Sequence, residues 1–447
     1  MSAETFPDKK LPSAWQSLGN STGDERSHRG LPALSDGVFL LILLAGAVYA
    51  LRTYPDAMDI YEKCILIGAA FAAAWLGWLW RPLRRLILVT GVLALLAIYL
   101  YDGDISRAES NFFLKYLLSS QTAILWMCAL FFMATLMYWL GMINPRLAWM
   151  GSAFTWLGVY AGVLGLLVRW REGHMIAADI GHIPVSNLYE VFVLFCLVTA
   201  LFYLYYERRY NTRALGGFVM LVVTSAVIFL LWYTFARDAA TIGPLNNALR
   251  SWWMKLHVPA NFIGYGTFAL SAMIGFAYLI KLHGNTSSWK PMLPLIVVGG
   301  ALVAEPFMFS AKDQYEVWFI YFGLSLLVVA GILIFRKPIA ERLPSFEVLD
   351  DIMYRAISIG FAFFTVATIL GAFWAADAWG TYWQWDPKET WAFVVWLNYA
   401  AWLHLRLMKG MRGTVAAYWA LIGLVVTTFA FLGVNIFLSG LHSYGEL

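Results

Sequence analysis

The sequence of 447 residues is poor in charged side chains. Asp, Glu, Lys and Arg together make up 13% of the chain, whereas hydrophobic residues make up 61%. Soluble domains average about 25% charged and about 45–50% apolar residues, so this composition excludes a soluble globular protein. The formal net charge of +4 is small and carries little information about nucleic acid, and we predict no nucleic-acid partner.

Paired cysteines are also lacking. Cys64, Cys128 and Cys196 each lie within an apolar run, and no CxxC spacing occurs. Neither a disulfide framework nor a thiolate metal site is therefore expected. We interpret the three thiols as small buried hydrophobic side chains.

Long apolar runs predict an all-α fold, a polytopic integral membrane helical bundle. A spanning helix needs about 20 mostly apolar residues, and thirteen candidates meet that criterion. They begin near residues 37, 64, 86, 122, 147, 188, 214, 260, 292, 317, 356, 391 and 414. The first 36 residues are polar and lack the apolar segment of a cleaved signal peptide, so we predict a disordered cytoplasmic tail.

The distribution of basic residues orients the predicted bundle. If the N-terminus is inside, the inner segments hold 20 of the 31 Lys and Arg residues, as the positive-inside rule requires. We therefore predict an N-in, C-out topology with the loop 376–391 on the outer side. The predicted divisions are a tail over 1–36, N-terminal membrane helices over 37–146 and a membrane core over 147–447.

The outer loop is unusually rich in tryptophan. The stretch AWGTYWQWDPKETWAF, residues 378–393, contains Trp379, Trp383, Trp385 and Trp391. Tryptophan is ordinary at a bilayer interface. Four within thirteen residues of a polar loop exceed what such a belt explains, and this density favours a binding surface for a flat ligand.

The charged residues of the same loop have a structural interpretation. Asp386 is suited to the N-cap of the next helix, Pro387 to its first position and Glu389 to the third position of a capping box. Asn187 and Glu190 form a similar pair before the run that begins near residue 188.

The histidines differ in predicted depth. His404 lies thirteen residues after Trp391, roughly 20 Å along a helix, and an ionisable residue at that depth is a functional candidate. His257 and His442 lie at the outer ends of two other runs. Two imidazoles beside an aromatic surface would suit a bis-histidine heme site. From spacing alone, heme, a quinone or another flat amphiphile, and no ligand at all remain open.

A second outer loop carries further basic residues. His182 lies in GHIPVSNLYEVF, residues 181–192, and Arg169, Arg171 and His174 precede it. This group could bind a carboxylate or a heme propionate.

Five stretches together carry a family resemblance. WGTYWQWDPKETW is similar to the tryptophan-rich signature of heme-handling membrane proteins. With KLHVPANFIGYG, WLHLRL, GVNIFLSGLHSYG and GHIPVSNLYE, the chain resembles the CcsA/ResC branch of System II cytochrome c biogenesis. The resemblance covers roughly 169–285 and 350–447, whereas 1–120 and 290–345 contain no recognisable motif.

The resemblance implies a function. Members of this family move heme b, bound non-covalently, from the cytoplasmic to the outer side of the membrane. There they present it, reduced and bis-histidine ligated, for thioether attachment to the CxxCH motif of apocytochrome c. The membrane is the bacterial cytoplasmic membrane, or the thylakoid membrane in organelles.

The resemblance also implies residue roles. His257 and His442 match the outer axial ligands of the heme iron, and His404 matches a deep ligand. The tryptophans and Asp386 belong to the heme-binding loop. A second deep histidine would come from a ResB/CcsB-type membrane subunit, and a thiol-reducing partner is expected. The chain would then be one component of a holocytochrome c synthase, with no evident acid or base catalyst of its own.

Lys388, at the outward N-terminal end of its helix, is a candidate for holding a propionate. Two other functions remain open: a membrane b-type cytochrome or quinol oxidoreductase subunit, and a transporter of a flat amphiphile.

Overall fold

The structure is a computed structural model that describes residues 34–56, 58–177, 179–245, 247–286, 288, 290–297, 299–300, 315–438 and 440. Helices dominate these ranges, and no strand occurs in them. The principal helices are α1 Leu34–Thr53, α2 Ile60–Leu79, α3 Pro82–Tyr101, α4 Ser120–Ile143, α5 Pro145–Ile176, α6 Leu188–Arg209, α7 Gly216–Arg237, α8 Met254–His283, α9 Tyr315–Ile334, α10 Arg336–Arg342, α11 Phe346–Trp379, α12 Pro387–Lys409 and α13 Thr414–Thr428.

The predicted fold class is confirmed. Within the described ranges, ten helices are long and apolar enough to cross a membrane, and α9 with α10, bent by 71°, would make an eleventh span. Eleven of the thirteen predicted starts fall within these helices, and the start near residue 214 lies two residues before α7. The start near residue 292 falls on a helical stretch that leads into 301–314, which lie outside the described residues. The exact number of spans and the N-in, C-out orientation stay predictions.

The chain divides into two compact units, and the first ends at Ile87. In it α1 packs against α2, where a Cβ at Gly77 would come within 2.8 Å of the Phe39 ring. Arg84 forms a partly buried ion pair with Asp36. Cys64 is exposed, so the prediction that all three thiols are buried is wrong for this residue, which lies on the outward face of α2. The predicted tail falls almost wholly on residues 1–33, outside the described ranges, and the predicted boundary at 146/147 stays a prediction.

The second unit begins at Leu88 and contains an antiparallel pair, α4 and α5. Four glycines of α5 face α4 so closely that an added Cβ would come within 2.8 Å of its side chains, as at Gly158 against Phe131. Small residues let helix backbones approach in this way where the hydrophobic effect between membrane helices is weak. Cys128 and Cys196 are buried in this unit, as predicted.

Helix α8 is the most enclosed span of the second unit, since most of its apolar window is buried inside the protein. It packs against α6, α7, α11 and α13. Pro259 lies in its second turn, where it removes one backbone donor from the helix. The polar residues of α8 that line the cavity described below lie at this end of the helix.

The turn between α11 and α12 is defined by specific backbone geometry. Gly380 ends α11 in the left-handed region at φ 78°, and Asp386 and Glu389 form the predicted capping box at the start of α12. Pro387 occupies the first turn, as its fixed φ favours. After α13 the helix widens into a π-turn over Phe429–Gly433.

Candidate ligand-binding cavity

A cavity of about 220 Å³ lies among the N-terminal ends of α6, α8 and α12, the C-terminal half of α11 and the π-turn. Its polar lining includes Ser186, Asn187, His257, Asn261, Thr368, Lys388 and Glu389. Its aromatic lining includes Tyr233, Phe262, Tyr265, Phe364, Trp374, Tyr382, Trp383 and Phe431. A mostly aromatic wall with a few converging polar groups is typical of small-molecule and cofactor sites.

His257 is held in a defined orientation. Its Nδ1 lies 2.7 Å from the backbone carbonyl of Ala367 in α11. A carbonyl oxygen can only accept, so Nδ1 carries a proton; in the neutral form of the ring the lone pair is then on Nε2. Metal-ligating histidines are commonly oriented by such a bond from their second nitrogen.

The packing around this imidazole is equally tight. The Trp374 ring lies 5.5 Å from it, centroid to centroid. A Cβ at Gly371 would come within 2.8 Å of the His257 Cε1. Ala367, Gly371 and Trp374 are spaced i, i+4 and i+7, and together they form the face of α11 against which the imidazole rests.

The start of α12 contributes one cation to the wall. The Glu389 carboxylate accepts from the backbone N–H groups of Gln384, at 2.8 Å, and Asp386, at 3.2 Å, and Asp386 accepts from the Lys388 N–H at 3.1 Å. Both carboxylates are buried and committed to the cap, as predicted. Burial lowers the pKa of the Lys388 ammonium to about 8, although the neighbouring Asp386 opposes the shift. Lys388 is therefore mainly cationic at neutral pH but close to titration.

The opposite wall is the turn before α6. Asn187 caps α6 by accepting from the Glu190 N–H at 2.9 Å, as predicted. Glu190 and Arg169 are almost fully buried and form an ion pair at 2.8 Å. His182 lies in the same turn, with its Nε2 2.7 Å from the Ser186 hydroxyl. Of this group, Ser186 and Asn187 reach the cavity, whereas His182 lies behind the wall.

The four tryptophans of the loop have different positions. Trp383 lines the cavity. Trp385 is exposed, with its ring edge-on to Trp383 at 5.7 Å and its backbone at φ 58°, an unfavourable region for a bulky residue. Trp391 packs on Phe429 at 4.3 Å, and Trp379 ends α11.

Of the remaining predicted histidines, those that lie in the described ranges do not line this cavity. His404 is exposed on α12. His174 is exposed in the last turn of α5, beside the His182 turn. His442 lies outside the described residues. Gly440, two positions earlier in the sequence, packs directly against Asp386 and Pro387 at the start of α12.

Several lining residues were absent from the sequence predictions, notably Trp374, Tyr382 and Asn261. A usable signal existed for some of them. Asn261 and Tyr265 follow His257 at i+4 and i+8, on the same face of α8, and Trp374 precedes Trp379, the first tryptophan of the loop, by five residues. No comparable signal links α8 with the turn before α6.

The arrangement has a clear chemical character. One imidazole is oriented by its Nδ1 bond, one half-buried ammonium can meet an anion, and aromatic rings line the same cavity. These groups suit a flat, mostly apolar molecule that carries a metal and a carboxylate, which is the chemistry of heme.

Comparison with known proteins agrees with this character. Residues 185–442 match the family described as cytochrome C assembly protein. The chain belongs to this family. The match covers all of the cavity-lining residues and ends at His442. It confirms the resemblance stated from the sequence motifs and gives the chain a role in cytochrome c biogenesis.

Individual relatives extend the family match. The cytochrome c biogenesis protein CcsA of Chlorella vulgaris is 34% identical over 330 residues, which covers 71% of this chain and 93% of the relative. The CcsA proteins of Microcystis aeruginosa and Gloeobacter violaceus are 32% and 33% identical, and cover 70% of this chain with 94% and 92% of their own lengths. With its spanning helices, the chain is a multi-pass membrane member of the family.

Proposed function

We propose that the chain binds heme b as cargo and presents it, reduced and with two histidine ligands, to apocytochrome c. The observation that carries this proposal is the His257 imidazole, whose Nδ1 is bonded to the Ala367 carbonyl and whose ring lines a mostly aromatic cavity. His442 is the proposed second ligand on the same side. Two axial imidazoles would occupy both axial positions of the heme iron and so exclude oxygen from it. They would also favour one shielded orientation of the flat heme ring.

Lys388 is the proposed partner for a heme propionate. Its ammonium is half-buried on the cavity wall, where an anion would relieve the cost of burying it, since Asp386 is already occupied as the helix cap. The N-terminal end of α12 adds a favourable dipole. This role fixes which edge of the heme faces the start of α12.

His404 is the proposed ligand of a second, deeper position. It lies on a stripe of α12 that is otherwise apolar and exposed, with Phe393, Leu397 and Met408. Within the described part of the chain, no hydrogen bond to its imidazole occurs. An imidazole facing lipid is costly, so we propose that a ResB/CcsB-type subunit covers this stripe and supplies the opposing histidine.

The attachment chemistry needs thiols from elsewhere, because the sequence contains no CxxC. We propose that the two cysteines of the apocytochrome CxxCH motif add to the heme vinyl groups, after a thiol-reducing partner has kept them reduced. This chain contributes orientation: Trp383 and the ligands hold the cargo so that proximity supplies most of the rate. It would act as a heme lyase component together with its partner, in a bacterial cytoplasmic or a thylakoid membrane.

The first experiment measures heme in the purified chain. Oxidised and dithionite-reduced absorption spectra and a pyridine hemochrome assay should show a b-type heme near one equivalent. His257→Ala and His442→Ala should each lower heme affinity by roughly tenfold or more. His283→Ala is the matched control, because His283 lies at the opposite end of the same helix, α8, and it should leave the heme content unchanged.

Two results would contradict the proposal. A chain that stays colourless with added heme, alone and when coexpressed with a partner subunit, would leave the cavity as a site for another flat amphiphile. Equal heme loss in the His257 and His283 variants would show that a general structural effect, and not ligation, explains the loss.

A further inference from the structure

The turn before α6 contains three short contacts in series. His182 Nδ1 lies 2.6 Å from the Ile180 carbonyl, and His182 Nε2 lies 2.7 Å from the Ser186 hydroxyl. The same hydroxyl lies 2.9 Å from the Glu190 carboxylate. All three separations are in hydrogen-bond range, and each such bond needs one proton between its two heavy atoms.

The number of protons depends on the charge of His182. The Ile180 carbonyl has no proton to give, and Glu190 accepts from Arg169 as a carboxylate. A neutral imidazole brings one proton and the Ser186 hydroxyl brings another, so two protons must serve three contacts. An imidazolium brings two, and all three bonds are then made.

Neighbouring charges on each packed element bear on this balance. Helix α5 contributes Arg169, Arg171 and His174, and α6 contributes Glu190. Arg169 is neutralised by Glu190 and also donates to the Ala240 carbonyl at 2.6 Å. The Glu190 carboxylate therefore interacts with His182 through the Ser186 hydroxyl, while the cationic side chains of α5 disfavour a positive charge on the His182 ring.

We infer that His182 is a proton-dependent latch on the cavity wall. In its charged form His182 fixes the Ser186 hydroxyl between itself and Glu190, and so adds one bond that holds Ser186 in the cavity lining, beside the separately capped Asn187. In its neutral form the Ser186 hydroxyl gives up one bond, while the Ser186 backbone N–H keeps its 2.9 Å bond to Glu190, so the turn is held by one bond fewer. Cavity occupancy then varies with the pH of the compartment on that side. This last consequence rests on the proposed function, whereas the latch itself does not.

The test uses the ligand-free chain, so it can fail separately from heme binding. Hydrogen exchange of the backbone over residues 180–192 is measured by mass spectrometry between about pH 5.5 and 8, the range in which imidazoles change charge, and is corrected for intrinsic exchange. We expect corrected exchange to rise about fivefold toward pH 8, the loss of one ordinary hydrogen bond.

Two variants and one control identify the group. His182→Gln and Ser186→Ala should each abolish the pH step, whereas His174→Gln, an exposed neighbour outside the series, should keep it. Heme affinity of the wild type should show the same step, absent in His182→Gln. A flat wild-type exchange profile would overturn the latch even if both variants misfold. A step that persists in folded His182→Gln protein would overturn it as well.

Discussion

Gly371 is the position at which the smallest change should have the most specific effect. In Gly371→Ala the new Cβ would lie 2.8 Å from His257 Cε1 and 3.0 Å from Nδ1. To restore an ordinary contact of about 3.4 Å, the ring must move roughly 0.6 Å away from α11. The Nδ1–Ala367 bond would lengthen from 2.7 Å to about 3.3 Å, beyond the usual hydrogen-bond range.

Two energies then nearly cancel in the ligand-free protein. The lost hydrogen bond costs about 0.5–1.5 kcal/mol, while alanine is favoured over glycine inside a helix by about 1 kcal/mol. Stability should therefore change by less than about 1 kcal/mol. Heme affinity should fall by roughly 10- to 100-fold, the usual effect of removing the group that orients a metal-binding histidine.

Heme titration of the detergent-purified variants, followed at the Soret band, measures this effect. Gly91→Ala is the matched control, because Gly91 is also helical and no atom lies within 4 Å of its added Cβ. The reasoning is refuted if Gly371→Ala binds heme as tightly as the wild type while His257→Ala does not. It is equally refuted if Gly91→Ala loses as much affinity as Gly371→Ala.

Three further predictions test other parts of the structure. Arg406→Gln should lower the free energy of unfolding by about 3 kcal/mol or more, because it leaves the partly buried Asp350 carboxylate without its ion-pair partner. Arg355→Gln, in an exposed ion pair, is the control and should lower the free energy of unfolding by less than about 1 kcal/mol. Denaturation in detergent would compare the two variants. In a His182→Gln background, which removes the latch step, heme affinity should fall as pH rises through about 8, because Lys388 then loses its charge. Adding Lys388→Gln to that background should lower affinity at neutral pH and remove the fall, and an unchanged pH profile would contradict the propionate role. Asp386→Ala should destabilise the start of α12 by about 1 kcal/mol and speed hydrogen exchange there, and unaltered exchange would show that the cap is dispensable.

Local features of the structure could be predicted from the sequence because their partners are close in the chain. The capping box of Asp386 and Glu389 and the cap by Asn187 are confirmed, since three residues of spacing determine them. Helix α12 illustrates the limit of composition. It is 23 residues long and is a helix as predicted, but it is not among the ten helices of the described ranges that are apolar enough to cross a membrane, so its role as a span stays a prediction.

The cavity could not be predicted, because it joins segments that are far apart in the chain. Ser186, His257, Gly371 and Lys388 meet only through the packing of α6, α8, α11 and α12. The tryptophan pattern was also insufficient. Helix geometry directs Trp391 toward Phe429, and only Trp383 of the four reaches the cavity, a difference that residue type does not encode.

Helix α12 also sets a fixed length scale. Lys388 and His404 are sixteen residues apart on one unbroken helix, a separation of about 24 Å along its axis. A porphyrin ring is narrower than that distance, and a continuous helix does not shorten. A single cargo molecule therefore cannot touch both residues at once. Passage from one to the other would require release from the first before capture by the second, so a variant that strengthens one position should slow the handover even though it raises the amount of cargo bound.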